Sequence, residues 1–95
     1  MEPTLKDKVA IVTGGAGGFG VAYSRVLAQA GASVVPADID ESGAKAAAKD
    51  LQSEGYACLG VRTDVANEDS AAKMAAAAIE RFGGIDGLVN NAALL

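Results

Sequence analysis

Five glycines fall within the seven residues from Gly14 to Gly20, directly behind the apolar run Lys8-Val-Ala-Ile-Val-Thr13. Glycine accepts positive φ and lets the backbone come close to a ligand. The first N–H groups of a helix are unpaired and carry the positive end of its dipole. A strand that breaks into such a turn and resumes as a helix therefore offers a seat for a phosphate or pyrophosphate. Nucleophilic and metal chemistry have little to work with. The chain holds no histidine and a single cysteine, Cys58, which removes a disulfide framework, a Cys/His metal site and a Ser-His or Cys-His nucleophile.

Two glycine registers fit. Gly15-x-Gly17-x-x-Gly20 is the general dinucleotide fingerprint, and Thr13-Gly14-x-x-x-Gly18-x-Gly20 resembles the version carried by the short-chain dehydrogenase/reductase family, a resemblance that implies the same ligand. A glycine-rich surface loop without a ligand is the competing reading. The context favours the ligand, because a β-type run precedes the glycines, a helical pattern follows, and the acid Asp38 lies eighteen residues beyond Gly20. A P-loop is disfavoured because no Gly-Lys-Ser/Thr follows. The expected contacts of this stretch are Gly14, Gly15, Gly17, Gly18, Phe19 and Gly20.

Alternating strand-like and helix-like segments are needed to carry these residues, and from residue 8 the pattern supplies them, as in βαβ units with a parallel sheet. The first strand is expected over Lys8 to Thr13. A helix follows from Gly18 to Ala30, with Tyr23, Val26, Leu27 and Ala30 as its core face and Gly31 as C-terminal cap. The second strand covers Ser33 to Ala37 and ends at Asp38. Pro36 removes a ladder donor there, so a local defect is expected. The second helix spans Asp40 to Glu54, with Ala44, Ala47, Ala48 and Leu51 facing inward, and Gly55 closes it. Strand three covers Ala57 to Thr63. The third helix is capped by Asn67 and runs to Phe82, with Ala71, Met74, Ala75, Ala78, Ile79 and Phe82 as its buried stripe. Strand four covers Ile85 to Asn90.

With 95 residues, 51% of them hydrophobic and only 4% aromatic, the chain is one small unit with an aliphatic, Ala-rich core. The net charge of −4 and the lack of a basic cluster argue against nucleic acid and anionic membrane as partners. The N-terminus lacks the pattern of a signal peptide and no apolar run approaches spanning length, so a cytoplasmic protein is expected. Cys58 sits in an apolar run and reads as a small buried core residue.

Four motifs in register resemble the short-chain dehydrogenase/reductase family over essentially the whole chain. They are the Thr13–Gly20 loop, Asp38 at the end of strand two, Asp64-Val65 after strand three, and Asn90-Asn91-Ala92-Ala93 after strand four. The resemblance implies a Rossmann-type doubly wound α/β sheet, here its first β-α-β-α-β-α-β portion in strand order 3-2-1-4. It implies hydride transfer between a nicotinamide cofactor and an alcohol or ketone. Asp38 would accept the ribose hydroxyls and repel a 2′-phosphate, which favours NAD over NADP, and neither Gly17 nor Ile39 is basic. Asp64 and Val65 would hold the adenine, and Asn90 and Ala92 would lie beside the cofactor. Ala93 replaces the family's usual glycine.

The family's acid/base group, a Tyr-x-x-x-Lys pair with a Ser and a further Asn, maps onto nothing here, since Tyr23 is followed four residues later by Leu27 and Tyr56 by Gly60. The expectation is that residues 1–95 are the incomplete, NAD-binding half of an enzyme whose catalytic residues, and the homo-oligomer contacts of the complete protein, lie elsewhere. A non-catalytic dinucleotide-binding module and an inactive truncated fragment stay open as alternatives.

Overall fold

The computed structural model describes residues 4–91. Its elements run β1 (Val9–Thr13), α1 (Gly18–Gln29), β2 (Ser33–Asp38), α2 (Glu41–Ser53), β3 (Val61–Arg62), α3 (Glu68–Phe82) and β4 (Gly87–Asn90). The strands form one parallel sheet in the order β3-β2-β1-β4, as the resemblance implies. A central parallel strand is covered on both faces and needs apolar side chains at every position. β1 is buried along its whole length, and β2 is buried from Val34 through Ala37.

Alternate residues of these two strands feed two cores. Val12 and Val34 pack with Ala28 of α1, with Ala48 and Leu51 of α2, and with Ala32 and Cys58. Ile11, Val35 and Ala37 pack on the other face against Met74 and Ala78 of α3. The C-terminal ends of all four strands thereby point to one edge of the molecule, where the glycine loop lies. Asp86 fixes the start of β4, accepting from the Val9 N–H through Oδ2 at 2.8 Å while its own N–H donates to the Val9 carbonyl at 2.8 Å. β4 accordingly begins at Gly87, two residues later than the spacing suggests.

Three expectations need correction. The fully buried face of α1 is formed by Gly20, Ser24 and Ala28; of the expected residues Leu27 packs half-buried against the Val12 core, whereas Tyr23 and Val26 are 46% and 62% exposed. The helix must close tightly on the glycine loop, and only its small residues permit that approach. In α3, Met74 and Ala78 are buried as expected, but Ile79 is 51% exposed because it stands at the edge of the face that meets the sheet. β3 shrinks from seven expected residues to Val61–Arg62 and one isolated bridge, Val34 with Cys58.

Pro36 accounts for the short β3. Val34 and Asp38 both bond on the β3 side: the Val34 N–H donates to Ala57, the Leu59 N–H to Val34 and the Thr63 N–H to Asp38. Pro36 shares their parity but has no N–H to donate, so the rung between the bridge and the Ala37–Val61 pair is missing. The expected defect exists, and it falls on the neighbouring strand while β2 itself stays continuous.

Candidate functional site

The Thr13–Gly20 segment turns through Gly14, whose φ of +66° is open to glycine at little cost. A Cβ at Gly20 would collide with the Gly14 carbonyl and stand 2.9 Å from Gly15 Cα. A Cβ at Gly15 would come within 2.6 Å of Pro36 Cβ. The loop is thus folded against itself and against the end of β2. α1 begins at Gly18 with Gly17 as its N-cap, and no side chain caps it. The first regular helix bond runs from the Val21 N–H to the Gly17 carbonyl, which leaves the amides of Gly18, Phe19 and Gly20 directed out of the helix end. Phe19 is 76% exposed, so its backbone rather than its ring is what the loop can offer an anion.

Beside this loop lies a cleft of about 140 Å³ lined by Gly14, Ala37, Asp38, Ile39, Thr63, Asp64 and Val65. Five of the residues singled out from the sequence, on three separate segments, therefore meet in one hollow. Asp38 reaches across it: Oδ2 accepts from the Ala16 N–H at 3.0 Å and Oδ1 from the Asp40 N–H at 3.0 Å. Asp64 is held by a turn in which its Oδ1 accepts from the Ala66 N–H at 3.0 Å and its own N–H donates to Ser70 Oγ at 2.8 Å. Asn67 caps α3 by accepting from the Ser70 N–H. No residue lining the cleft is basic.

On the other side of the loop, Thr13 ties β1 to β4. Its buried Oγ1 lies 3.2 Å from both the Val89 carbonyl and Asn90 Oδ1 and accepts from the Asn91 N–H at 3.0 Å. A Cβ at Gly14 would stand 3.1 Å from the Asn91 carbonyl oxygen, so Asn90 and Asn91 wall the loop on that flank. Thr13, Ala16 and Asn91 complete the site, although the sequence marks them only as letters within longer motifs. Ala92 and Ala93 lie outside the described residues.

The arrangement suits an extended ligand with a phosphate-bearing middle and one end in the cleft. Cys58, the one cysteine, is buried in the α1/α2 core, and burial pushes its thiol up to about 11. Among the described residues no group of His, Cys, Asp or Glu could hold a metal ion.

Comparison with known proteins gives the family. The family model for short chain dehydrogenases matches residues 8–95. The chain belongs to the short-chain dehydrogenase family. It is 45% identical over 94 residues to a cis-4-hydroxycyclohexanecarboxylate dehydrogenase of Sinomonas cyclohexanicum, covering 99% of this chain and 37% of that protein. It is 39% identical to a 2,5-dichloro-2,5-cyclohexadiene-1,4-diol dehydrogenase of Sphingobium indicum, covering 100% of this chain and 38% of that one. The crystal structure of a hydroxysteroid dehydrogenase from Escherichia coli superposes with a TM-score of 0.90 at 37% identity, covering 95% of this chain and 38% of that one. The chain thus spans little more than a third of the length of the relatives it matches. Membership of this family implies a nicotinamide dinucleotide as cofactor, and the open helix end with its glycine cradle fits one.

Proposed function

We propose that this chain is the NAD-binding portion of a short-chain dehydrogenase that oxidises a ring-borne secondary alcohol or reduces the corresponding ketone. The observation that carries the reading is the placement of the Asp38 carboxylate in a cleft with Ile39, Asp64 and Val65, beside the open amides of α1 and with no base among the lining residues. A carboxylate retains acceptor capacity for ribose hydroxyls after receiving two backbone N–H bonds, while a 2′-phosphate would meet its like charge. NAD is favoured over NADP on that ground. The bound nicotinamide would supply hydride acceptance and donation. The chain's own residues would hold the pyrophosphate at Gly18–Gly20, the ribose at Asp38 and the adenine between Ile39 and Val65, with Asn90 and Ala92 toward the nicotinamide end.

The substrate class rests on relatives whose names specify hydroxyl groups on carbocycles. No Tyr-x-x-x-Lys pair occurs in the 95 residues, so the acid/base group belongs to further sequence in this reading, and the chain alone turns nothing over. A cytoplasmic, homo-oligomeric parent is part of the same proposal, the oligomer being what the likeness to the family implies; no helix of the described residues is long and apolar enough to cross a membrane. The test is the NAD/NADP affinity ratio of the complete protein and of its Asp38→Arg variant. The variant should weaken NAD and shift the ratio toward NADP by about tenfold or more. An unchanged ratio would remove Asp38 from the role assigned to it.

A further inference from the structure

We propose that Asp38 is also a positioning residue for the glycine loop, acting with the first turn of α2 so that the ribose site and the phosphate site move as one unit. The inference rests on the cofactor site proposed above and concerns how that site is held. The carboxylate accepts the Ala16 N–H through Oδ2 and the Asp40 N–H through Oδ1, each at 3.0 Å. It therefore bridges the middle of the loop and the entry to α2.

Gly43 supplies the opposing contact. A Cβ at this position would stand 2.7 Å from Ala16 Cβ and 2.5 Å from Asp40 Oδ2. Helix interiors disfavour glycine, and this one weakens α2 on propensity alone. Its place is explained by the approach of α2 to the loop: without a side chain, the first turn seats directly on Ala16. Asp40 fixes that turn by accepting from the Gly43 N–H at 3.1 Å. Ala16 is thus held by its amide from Asp38 and by its methyl group from Gly43. Two residues further on, Gly18 to Gly20 are the ones whose amides face the proposed pyrophosphate.

A chemical consequence follows for residue 38. Both carboxylate oxygens receive backbone donors, and an asparagine has only one acceptor oxygen, its NH₂ being itself a donor. Asp38→Asn therefore frees one of the two backbone N–H groups whichever way the amide turns. An Arg frees both, so a change of cofactor preference at this position also loosens the phosphate seat.

The test uses the complete protein, wild type and Asp38→Asn, with NAD and with an NAD analogue whose adenosine ribose is 2′,3′-dideoxy. If Asp38 positions the loop, Asn weakens NAD by about tenfold and still weakens the dideoxy analogue by about threefold or more. Equal affinity of the two proteins for the analogue would overturn the proposal, leaving Asp38 a ribose ligand alone. Amide hydrogen exchange without cofactor gives a second reading, with Asp38→Ala, which removes both acceptors: the Ala16 N–H should exchange faster in that variant, and an unchanged rate overturns the proposal independently of any ligand. Gly43→Ala, which keeps the Asp38 carboxylate, should likewise speed exchange at Ala16 and weaken both ligands; full wild-type behaviour of this variant would refute the role given to α2. Should NAD fail to bind the wild-type protein, the cofactor reading falls while the exchange experiment still decides the positioning role.

Discussion

A methyl group at residue 20 has no room, because it would overlap the Gly14 carbonyl and press on Gly15 Cα at 2.9 Å, whereas among the described residues nothing beyond the adjoining turns of α1 stands within 4 Å of a methyl at residue 18. The glycines of one motif therefore do two jobs. Gly14, Gly15 and Gly20 let the chain close on itself; Gly18 leaves open space at the helix end, and a Cβ at Gly17 would meet the Gly14 carbonyl at an ordinary 3.6 Å. Gly20→Ala should cost about 2 kcal/mol or more of stability and abolish NAD binding, while Gly18→Ala should leave the melting temperature level or raised and weaken NAD selectively. Calorimetric melting and NAD titration of both variants check this, and a Gly18→Ala protein that melts far below wild type would contradict the division. The sequence shows the five glycines and their spacing, so the ligand class was legible there. It does not show which glycine meets backbone, since that depends on contacts made across the turn. Cys58 carries a pH prediction. Its thiol is raised to about 11 from an ordinary 9.0 by burial, so above pH 9 the unfolded chain sheds this proton first and stability falls with rising pH until about 11. The slope attributable to Cys58 is about 1.4 kcal/mol per pH unit, and it should vanish from the pH-dependent denaturation curves of Cys58→Ala.

At the scale of elements, helix ends were readable because they rest on local chemistry: Asp40 and Asn67 cap α2 and α3 as their types suggest, and Gly31, Gly55 and Gly83 follow the three helices with positive φ. Helix faces were harder. In α2 the inward Ala44, Ala47, Ala48 and Leu51 stand where the periodicity puts them. In α1 periodicity selects the larger apolar residues, yet the helix turns its small side toward the sheet to reach the glycine loop, and that demand is tertiary. Ser24 pays for the arrangement, being fully buried with a hydroxyl that has no hydrogen-bond partner among the described residues. Replacing it with alanine removes an unsatisfied polar group and improves helix propensity, so Ser24→Ala should raise stability by about 1 kcal/mol with no loss of NAD affinity. Chemical denaturation of the two proteins measures this directly, and a destabilised variant would mean that the hydroxyl has a use. The strand ends show the converse: Pro36 announces a defect by its type, but the strand that loses length is β3, because a missing donor is felt by the acceptor across the ladder.

At the scale of the whole molecule, the described residues leave β4 paired on one side only, with β1. Leu88 is 58% exposed and Ile85 38% exposed, and an apolar cleft of about 490 Å³, including Leu27, Leu88 and Val89 in its lining, runs between α1 and β4 at the end of the sheet remote from the glycine loop. An open edge with apolar side chains invites pairing with whatever strand is available. A polypeptide of these 95 residues should therefore self-associate, and Leu88→Lys should reduce that association, since a charge on an exposed edge opposes further pairing. Sedimentation velocity on the two polypeptides reads the effect, with circular dichroism to show that both are folded. The same substitution should instead destabilise a longer protein in which β4 has neighbours on both sides. There a lysine would replace a buried leucine and forfeit about 2 kcal/mol of apolar burial, lowering the melting temperature. Reduced association of the 95-residue polypeptide together with a lowered melting temperature of the longer protein would locate the surface that covers β4 in the rest of that protein, whereas a longer protein indifferent to Leu88→Lys would show that this edge stays open to solvent.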